Sequence, residues 1–163
     1  MIAGTMANGG AELNKLIEDA TASGLLRSDA RENIVRFLAR AASPLEMQVI
    51  GELARAGEWS ELSDRFYKTL AFGTGGLRGR TIGKIVTNAE RGSPTELGRP
   101  EFPCVGTNAM NYFNVGRATL GLVTYVKKWR DKQGTSGRPR IVIAHDTRHF
   151  SREFADLAAK TAT

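Results

Sequence analysis

Cysteine is almost absent: Cys104 is the one thiol in 163 residues. A lone thiol excludes an internal disulfide and a cysteine-based zinc cluster, and it suits a reducing cytoplasm. No apolar run approaches the ~20 residues that a membrane helix needs, so a membrane partner is not expected. No signal peptide is expected either, because the first basic residue is Lys15 and no apolar core region follows it. Nucleophile motifs are missing as well. There is no Gly-x-Ser-x-Gly elbow, and Cys104 lies in a proline-rich stretch. Gly83-Lys84 is followed by Ile85, with no glycine five residues before Gly83, so this is not a Walker A loop. His145 and His149 flank Asp146 and Arg148, but no third distant ligand stands out, and a metal site is not read there.

What is present is ordinary in amount and uneven in placement. Apolar residues make up 41% and charged residues 25%, the values of a globular chain long enough for one core, alone or with a helical extension. Residues 1–70 hold 8 Lys and Arg against 10 Asp and Glu, whereas residues 71–163 hold 15 against 7. The net charge therefore passes from −2 to +8, and the positive field begins near residue 71. Such a field attracts anions: a phosphorylated metabolite, nucleic acid or an acidic surface.

The first half reads as helices. Leu13, Leu16, Ile17 and Ala20 form one apolar stripe, and Ile34, Val35, Leu38 and Ala42 another, within residues 11–41. Gly24 separates the two, and Asp29-x-x-Glu32 resembles a capping box. Ser43-Pro44-Leu45-Glu46 is a stronger start signal, predicting a helix that runs to about Ala56 and stops at Gly57. A fourth helix is expected over residues 60–69, burying Leu62 and Phe66. None of this carries a chemical motif, so it is assigned packing.

The second half reads as alternating strand and helix. Residues 81–87 hold Ile82, Ile85 and Val86, a predicted strand, and glycines and prolines punctuate a long loop over 88–107. Helical periodicity returns from about Asn108 to Arg130, with Ala118, Leu122, Tyr125 and Trp129 on a face expected to meet the core. Arg140-Ile141-Val142-Ile143-Ala144 suits a strand buried on both faces of a sheet, and Ser151 opens a last helix bearing Phe154, Leu157 and Ala158. The expected fold class is α/β. An N-terminal helical extension (1–70) precedes an incomplete three-layer, mixed or parallel βαβ domain (71–163). In open sheets of this kind ligands gather beyond the carboxyl ends of the strands, where the Asp146 to Arg148 turn falls.

The stretch richest in chemistry is Phe72-Gly73-Thr74-Gly75-Gly76-Leu77-Arg78-Gly79-Arg80. Its glycines permit positive φ and close approach, consecutive N–H groups and the Thr74 hydroxyl can face an anion, and Arg78 and Arg80 offer planar forks for phosphate. Read alone, the same composition also describes a tight turn with two solvated arginines.

The string itself resembles the N-terminal signature of the α-D-phosphohexomutases, the phosphoglucomutase and phosphomannomutase family. Asn108-Ala109-Met110-Asn111 through Tyr125, and Ile143-Ala144-His145-Asp146-Thr147-Arg148-x-x-Ser151-x-x-Phe154-Ala155, are similar to the same family and in the same order. The resemblance spans roughly residues 60–163. It implies the first part of a multidomain isomerase and intramolecular phosphotransferase that moves a phosphoryl group between C1 and C6 of a hexose phosphate, or C5 of a pentose. A phosphoserine, Mg2+ and a sugar 1,6-bisphosphate take part. Arg78 corresponds to the arginine near the phosphoserine, Thr74, Gly75 and Gly76 to the loop presenting it, and Asp146 and Arg148 to a supporting Asp-x-Arg pair.

The family's Thr-Ala-Ser-His-Asn-Pro nucleophile loop and its Asp-x-Asp-x-Asp magnesium loop have no counterpart here. The expectation is an N-terminal fragment, inactive by itself, with no catalytic residue and no bound metal or cofactor of its own. Its expected partners are a phosphosugar and the remaining mutase domains, with self-association through an exposed sheet edge. Two alternatives stand beside it: a free anion- or nucleic-acid-binding module on the basic half, and a non-catalytic interaction protein.

Overall fold

The computed structural model describes residues 3–41, 43–73, 75–93 and 95–163, with side chains from residue 10 onward. Seven helices follow one another among the described residues: α1 Ala3–Ala22, α2 Ser28–Leu38, α3 Pro44–Arg55, α4 Trp59–Phe66, α5 Asn88–Arg91, α6 Tyr112–Gln133 and α7 Ser151–Ala162. None is long and apolar enough to cross a membrane.

The first four helices form as their apolar spacing requires. Leu13, Ile17 and Ala20 of α1, Ala30, Ile34 and Phe37 of α2, Val49, Ile50 and Leu53 of α3, and Leu62 and Phe66 of α4 close one core. Phe37 stands edge-on to both Phe66 and Phe113, with ring centroids 5.5 and 4.8 Å away. Ser43 caps α3 by accepting from the Leu45 amide, Pro44 takes the first helical position, and Gly57 follows the helix at φ 72°. Two expectations shift by part of a turn. Val35 is exposed while Phe37 is buried, and Ala42 lies outside the described residues. Asp29 makes no capping box; it pairs with Arg27, and α2 starts without a side-chain cap.

The second half does not build the expected α/β layers. Among the described residues there is no strand and no sheet, only an isolated bridge between Gly73 and Gly76. Two physical reasons account for this. Residues 81–87 wrap a buried cation: the Ile85 carbonyl accepts from Arg65 Nη2 at 2.6 Å instead of from a neighbouring strand. The 140–145 segment has no chain alongside to complete a ladder, and Val142 is 96% exposed where burial on both faces was expected.

Helix α6 departs from its expected packing too. Asn111 caps it, and Gly134 ends it at φ 62°. Among the described helices α7 packs most extensively on it, while Phe113 at its start meets the first core. Val115 and Val123 turn inward, and Leu122, Tyr125 and Trp129 stay at least half exposed. The uncovered apolar surface is thus a helix face and an extended segment, and not the edge of a sheet.

What holds the irregular region is polar. Arg65, fully buried on α4, donates from Nε to Glu61 at 2.8 Å, from Nη1 to Glu90 at 2.5 Å and the Val105 carbonyl at 3.2 Å, and from Nη2 to the Ile85 carbonyl and Glu90 at 2.6 and 3.2 Å. All five guanidinium donors are thereby satisfied. Glu90 also accepts from the Val105 amide and closes a capping box with Thr87 at the start of α5. Burial pushes the neighbouring Cys104 thiol up to about 11.

Removing one side of this network leaves buried charge uncompensated. Arg65→Met is expected to lower unfolding free energy by about 3–5 kcal/mol in urea titrations. Gly83→Ala is expected to act through the same group, because an added Cβ would lie 2.1 Å from Arg65 Nη2 and 2.8 Å from the Ile85 carbonyl oxygen. Cys104 is expected to resist an aromatic disulfide reagent at neutral pH in the native protein and to react on unfolding.

Candidate functional site

A cleft of about 910 Å³ opens beside the second, smaller core. Val115, Phe150 and Phe154 form that core with Ile82, Met110, Tyr112, Leu157 and Ala158 packed on it. The cleft's apolar floor includes Ile82, Met110, Val115 and Phe154, and its rim carries Arg78, Arg80, Thr147, Arg148, His149 and Ser151. One wall comes from the glycine-rich loop and the other from the turn before α7.

The first wall is positioned by backbone contacts. Gly73 and Gly76 exchange hydrogen bonds of 3.0 and 3.4 Å, and Gly75 takes φ 82°, a conformation that favours glycine. Two residues beyond Arg78 the Arg80 carbonyl accepts from the Met110 amide at 2.9 Å, and a Cβ on Gly79 would meet that amide nitrogen at 3.0 Å. Met110 is itself held by asparagines. Asn111 Nδ2 donates to the Cys104 and Gly106 carbonyls and Asn114 Nδ2 to those of Thr107 and Ala109, all between 2.8 and 3.0 Å.

The second wall is a short ion-paired turn. Asp146 accepts from the Arg148 amide at 3.1 Å and from Arg148 Nε at 2.8 Å, while its own amide donates to Ser151 Oγ at 3.1 Å. The side-chain bond from Arg148, then the backbone bonds and Ser151, hold the Asp146 carboxyl well below its ordinary 3.8. Both side chains are largely exposed, so this pair orients the turn more than it stabilises the fold.

The sequence candidates separate in space. Arg78 and Arg148 come together on the cleft, with Asp146 behind Arg148. Gly75 and Gly76 shape the loop without lining the cleft, and the Gly76 amide is directed at Gly73 rather than at an anion pocket. Thr74 lies outside the described residues. Arg80 lines the cleft, yet its guanidinium is paired with Glu61 at 3.2 Å and Asp64 at 2.9 Å.

Several contributors were missed in the sequence. Thr87-x-x-Glu90 is a readable capping-box pattern inside what looked like a passive loop, and Asn111 is a readable N-cap. The sequence raises His149 only as a candidate metal ligand, and Ile82 and Phe154 only as packing residues; nothing in their spacing marks them as lining one cleft. For the Mg2+ that the resemblance implies, the residues present do not fit: among the described residues no three His, Cys, Asp or Glu side chains gather as a metal site.

With this geometry in view, likenesses to known proteins become informative. Residues 104–163 match the family model for the phosphoglucomutase/phosphomannomutase, alpha/beta/alpha domain I. These residues contain the asparagine segment, α6, the Asp146–Arg148 turn and α7. Over these residues the chain is similar to the first domain of that family. It is 27% identical over 132 residues to a phosphoribomutase of Saccharomyces cerevisiae, covering 81% of this chain and 17% of that protein. Over 98 residues it is 31% identical to a phosphoglucomutase of Staphylococcus haemolyticus, covering 60% of this chain and 13% of that one. The chain thus spans less than a fifth of the length of these relatives. No solved structure matches it at comparable strength.

The Asp146 carboxyl gives a pH prediction. Its folded value is depressed, so the paired turn is favoured above the ordinary 3.8 and released only as pH falls further, through the lower folded value. Carboxyl NMR titration should place the Asp146 midpoint well under 3.8, and Arg148→Ala should return it towards that value.

Proposed function

We propose that this chain supplies the phosphate-gripping wall of a phosphosugar mutase site. In the full reaction a phosphoryl group moves between C1 and C6 of a hexose phosphate, or C5 of a pentose, by way of a phosphoserine and a sugar bisphosphate. The observation that carries this reading is the meeting of Arg78 and Arg148 on one cleft with an apolar floor. A phosphoryl group in flight carries charge on its equatorial oxygens, and catalysis of its transfer is mostly positioning and charge stabilisation. Fixed guanidinium groups supply both, because they stay charged and present planar donors.

The division of labour follows from what each residue touches. Arg78, on a loop held by backbone contacts, binds and orients a phosphate. Gly75 and Gly76 give the loop its form. Asp146 aligns the Arg148 fork by pairing with two of its nitrogens. The chain supplies no nucleophile in this scheme, and no step is drawn through a metal. The family relationship favours a sugar phosphate over nucleic acid as the anion, and a cytoplasmic location accords with the lone thiol.

Assay of the mutase that carries this chain decides the matter. Arg78→Ala should reduce turnover about a hundredfold, the scale of removing one charge-stabilising donor, with melting temperature nearly unchanged. Equal turnover in the variant would remove Arg78 from the site.

A further inference from the structure

One buried cation lies outside both the Arg65 network and the cleft rim. Arg99, in the loop between α5 and α6, has a side chain only 11% exposed. Its guanidinium carbon sits 4.0 Å from the centre of the Phe150 ring. Nη2 pairs with Glu153 of α7, and Nη1 donates to the Pro100 carbonyl at 3.2 Å. Nε is buried with no hydrogen-bond partner, so the stacked ring and the Glu153 charge must offset that cost.

Both ends of this contact are unusual. Among the described residues Phe150 is the one non-glycine residue with positive φ, at 65°, and it is buried between His149 and Ser151 of the cleft rim. A bulky residue in that conformation persists only where its surroundings fix it. The loop that bears Arg99 is fixed in turn. Thr95 Oγ1 donates to the Arg99 carbonyl at 2.6 Å, the Glu101 amide to the Arg91 carbonyl at 3.0 Å and the Phe102 amide to the Glu90 carbonyl at 3.0 Å. The chain of contacts runs from the backbone carbonyls of Glu90 and Arg91 on α5 through this loop to the first turn of α7.

We propose that Arg99 is a positioning residue: by stacking on Phe150 and pairing with Glu153 it fixes the first turn of α7, and so sets where Arg148, His149 and Ser151 stand on the cleft rim. Its consequence for phosphate affinity rests on the function proposed above; its consequence for the turn does not.

The test uses the 163-residue chain, wild type and with Arg99→Met, Arg99→Lys and Glu153→Gln. Amide exchange and NMR shifts of residues 148–154 are followed first without ligand, then during titration with inorganic phosphate. Arg99→Met should speed exchange of the Phe154 amide, which bonds the Phe150 carbonyl at 2.9 Å, at least tenfold, and it should move the Arg148 Nε–H signal. Core amides of α2 to α4 should stay within twofold. Arg99→Lys, which keeps the charge and part of the stacking, should recover most of the change, and Glu153→Gln should reproduce part of it. Unaltered exchange and Arg148 signals in Arg99→Met would overturn the proposal, as would equal loss throughout the core or no recovery with lysine. In the titration, wild type should give saturable shifts at the rim and Arg99→Met roughly tenfold weaker binding. Equal affinity in the two would also overturn it. If wild type shows no phosphate binding, the functional reading fails, and the exchange data alone judge the clasp.

Discussion

A guanidinium taken out of water must be matched in charge and in every N–H, or it is expelled. Arg65 meets that demand by drawing partners from four segments: Glu61 on its own helix, Glu90 on α5, and the carbonyls of Ile85 and Val105 from two stretches of coil. The irregular middle of the molecule is arranged around that requirement. A carbonyl aimed at a guanidinium is unavailable to a neighbouring strand, which is why apolar β-branched residues near position 85 did not produce one. The backbone stays close as well, since the Asn108 amide donates to the Arg65 carbonyl at 2.8 Å.

From this hub a second tier of contacts leads to the cleft. Val105 and Cys104 are fixed by the network, Asn111 and Asn114 stitch the following carbonyls, and the Met110 amide then receives the glycine-rich loop through the Arg80 carbonyl. Arg80 returns to Glu61, the acid that already faces Arg65. The loop bearing Arg78 is therefore tied to the same buried carboxylates that organise the rest. On the far wall the Asp146–Arg148 pair is local and solvent-facing, so it governs direction and contributes little to cohesion.

How much of this was readable depended on the range of the interaction. The Ser43-Pro44 start and the Gly57 stop lie where capping placed them, and α2 to α4 fall close to their expected spans, whereas α1 begins eight residues before the expected start and α4 ends three residues early. The Asp146 turn and the Arg78 loop are singled out by the resemblance of their residue strings, and both contribute arginines to one cleft lining. What escaped was determined at long range. Arg65 follows Glu61 by four positions, a pattern that usually marks a solvated helix surface; only Glu90, twenty-five residues later, makes it interior. The stripe of Leu122, Tyr125 and Trp129 has the period of a buried face, but period alone does not say whether another element arrives to cover it. Residues 140–144 have the composition of a central strand, and composition likewise cannot supply the neighbours a ladder needs.

Gly79 and Gly83 carry a lesson about where variation can enter this protein. At Gly83 the space a methyl group would need is taken by the Arg65 guanidinium, and at Gly79 a methyl group would press tightly on the Met110 amide nitrogen at 3.0 Å. Arg78, one residue before Gly79, is exposed and lines the cleft, whereas Gly79 itself is confined in this way. Drift in such a segment would erase the chemical group before it disturbed the scaffold. A variant without Arg78 would still keep Gly79 and Gly83, and with them the course of its backbone.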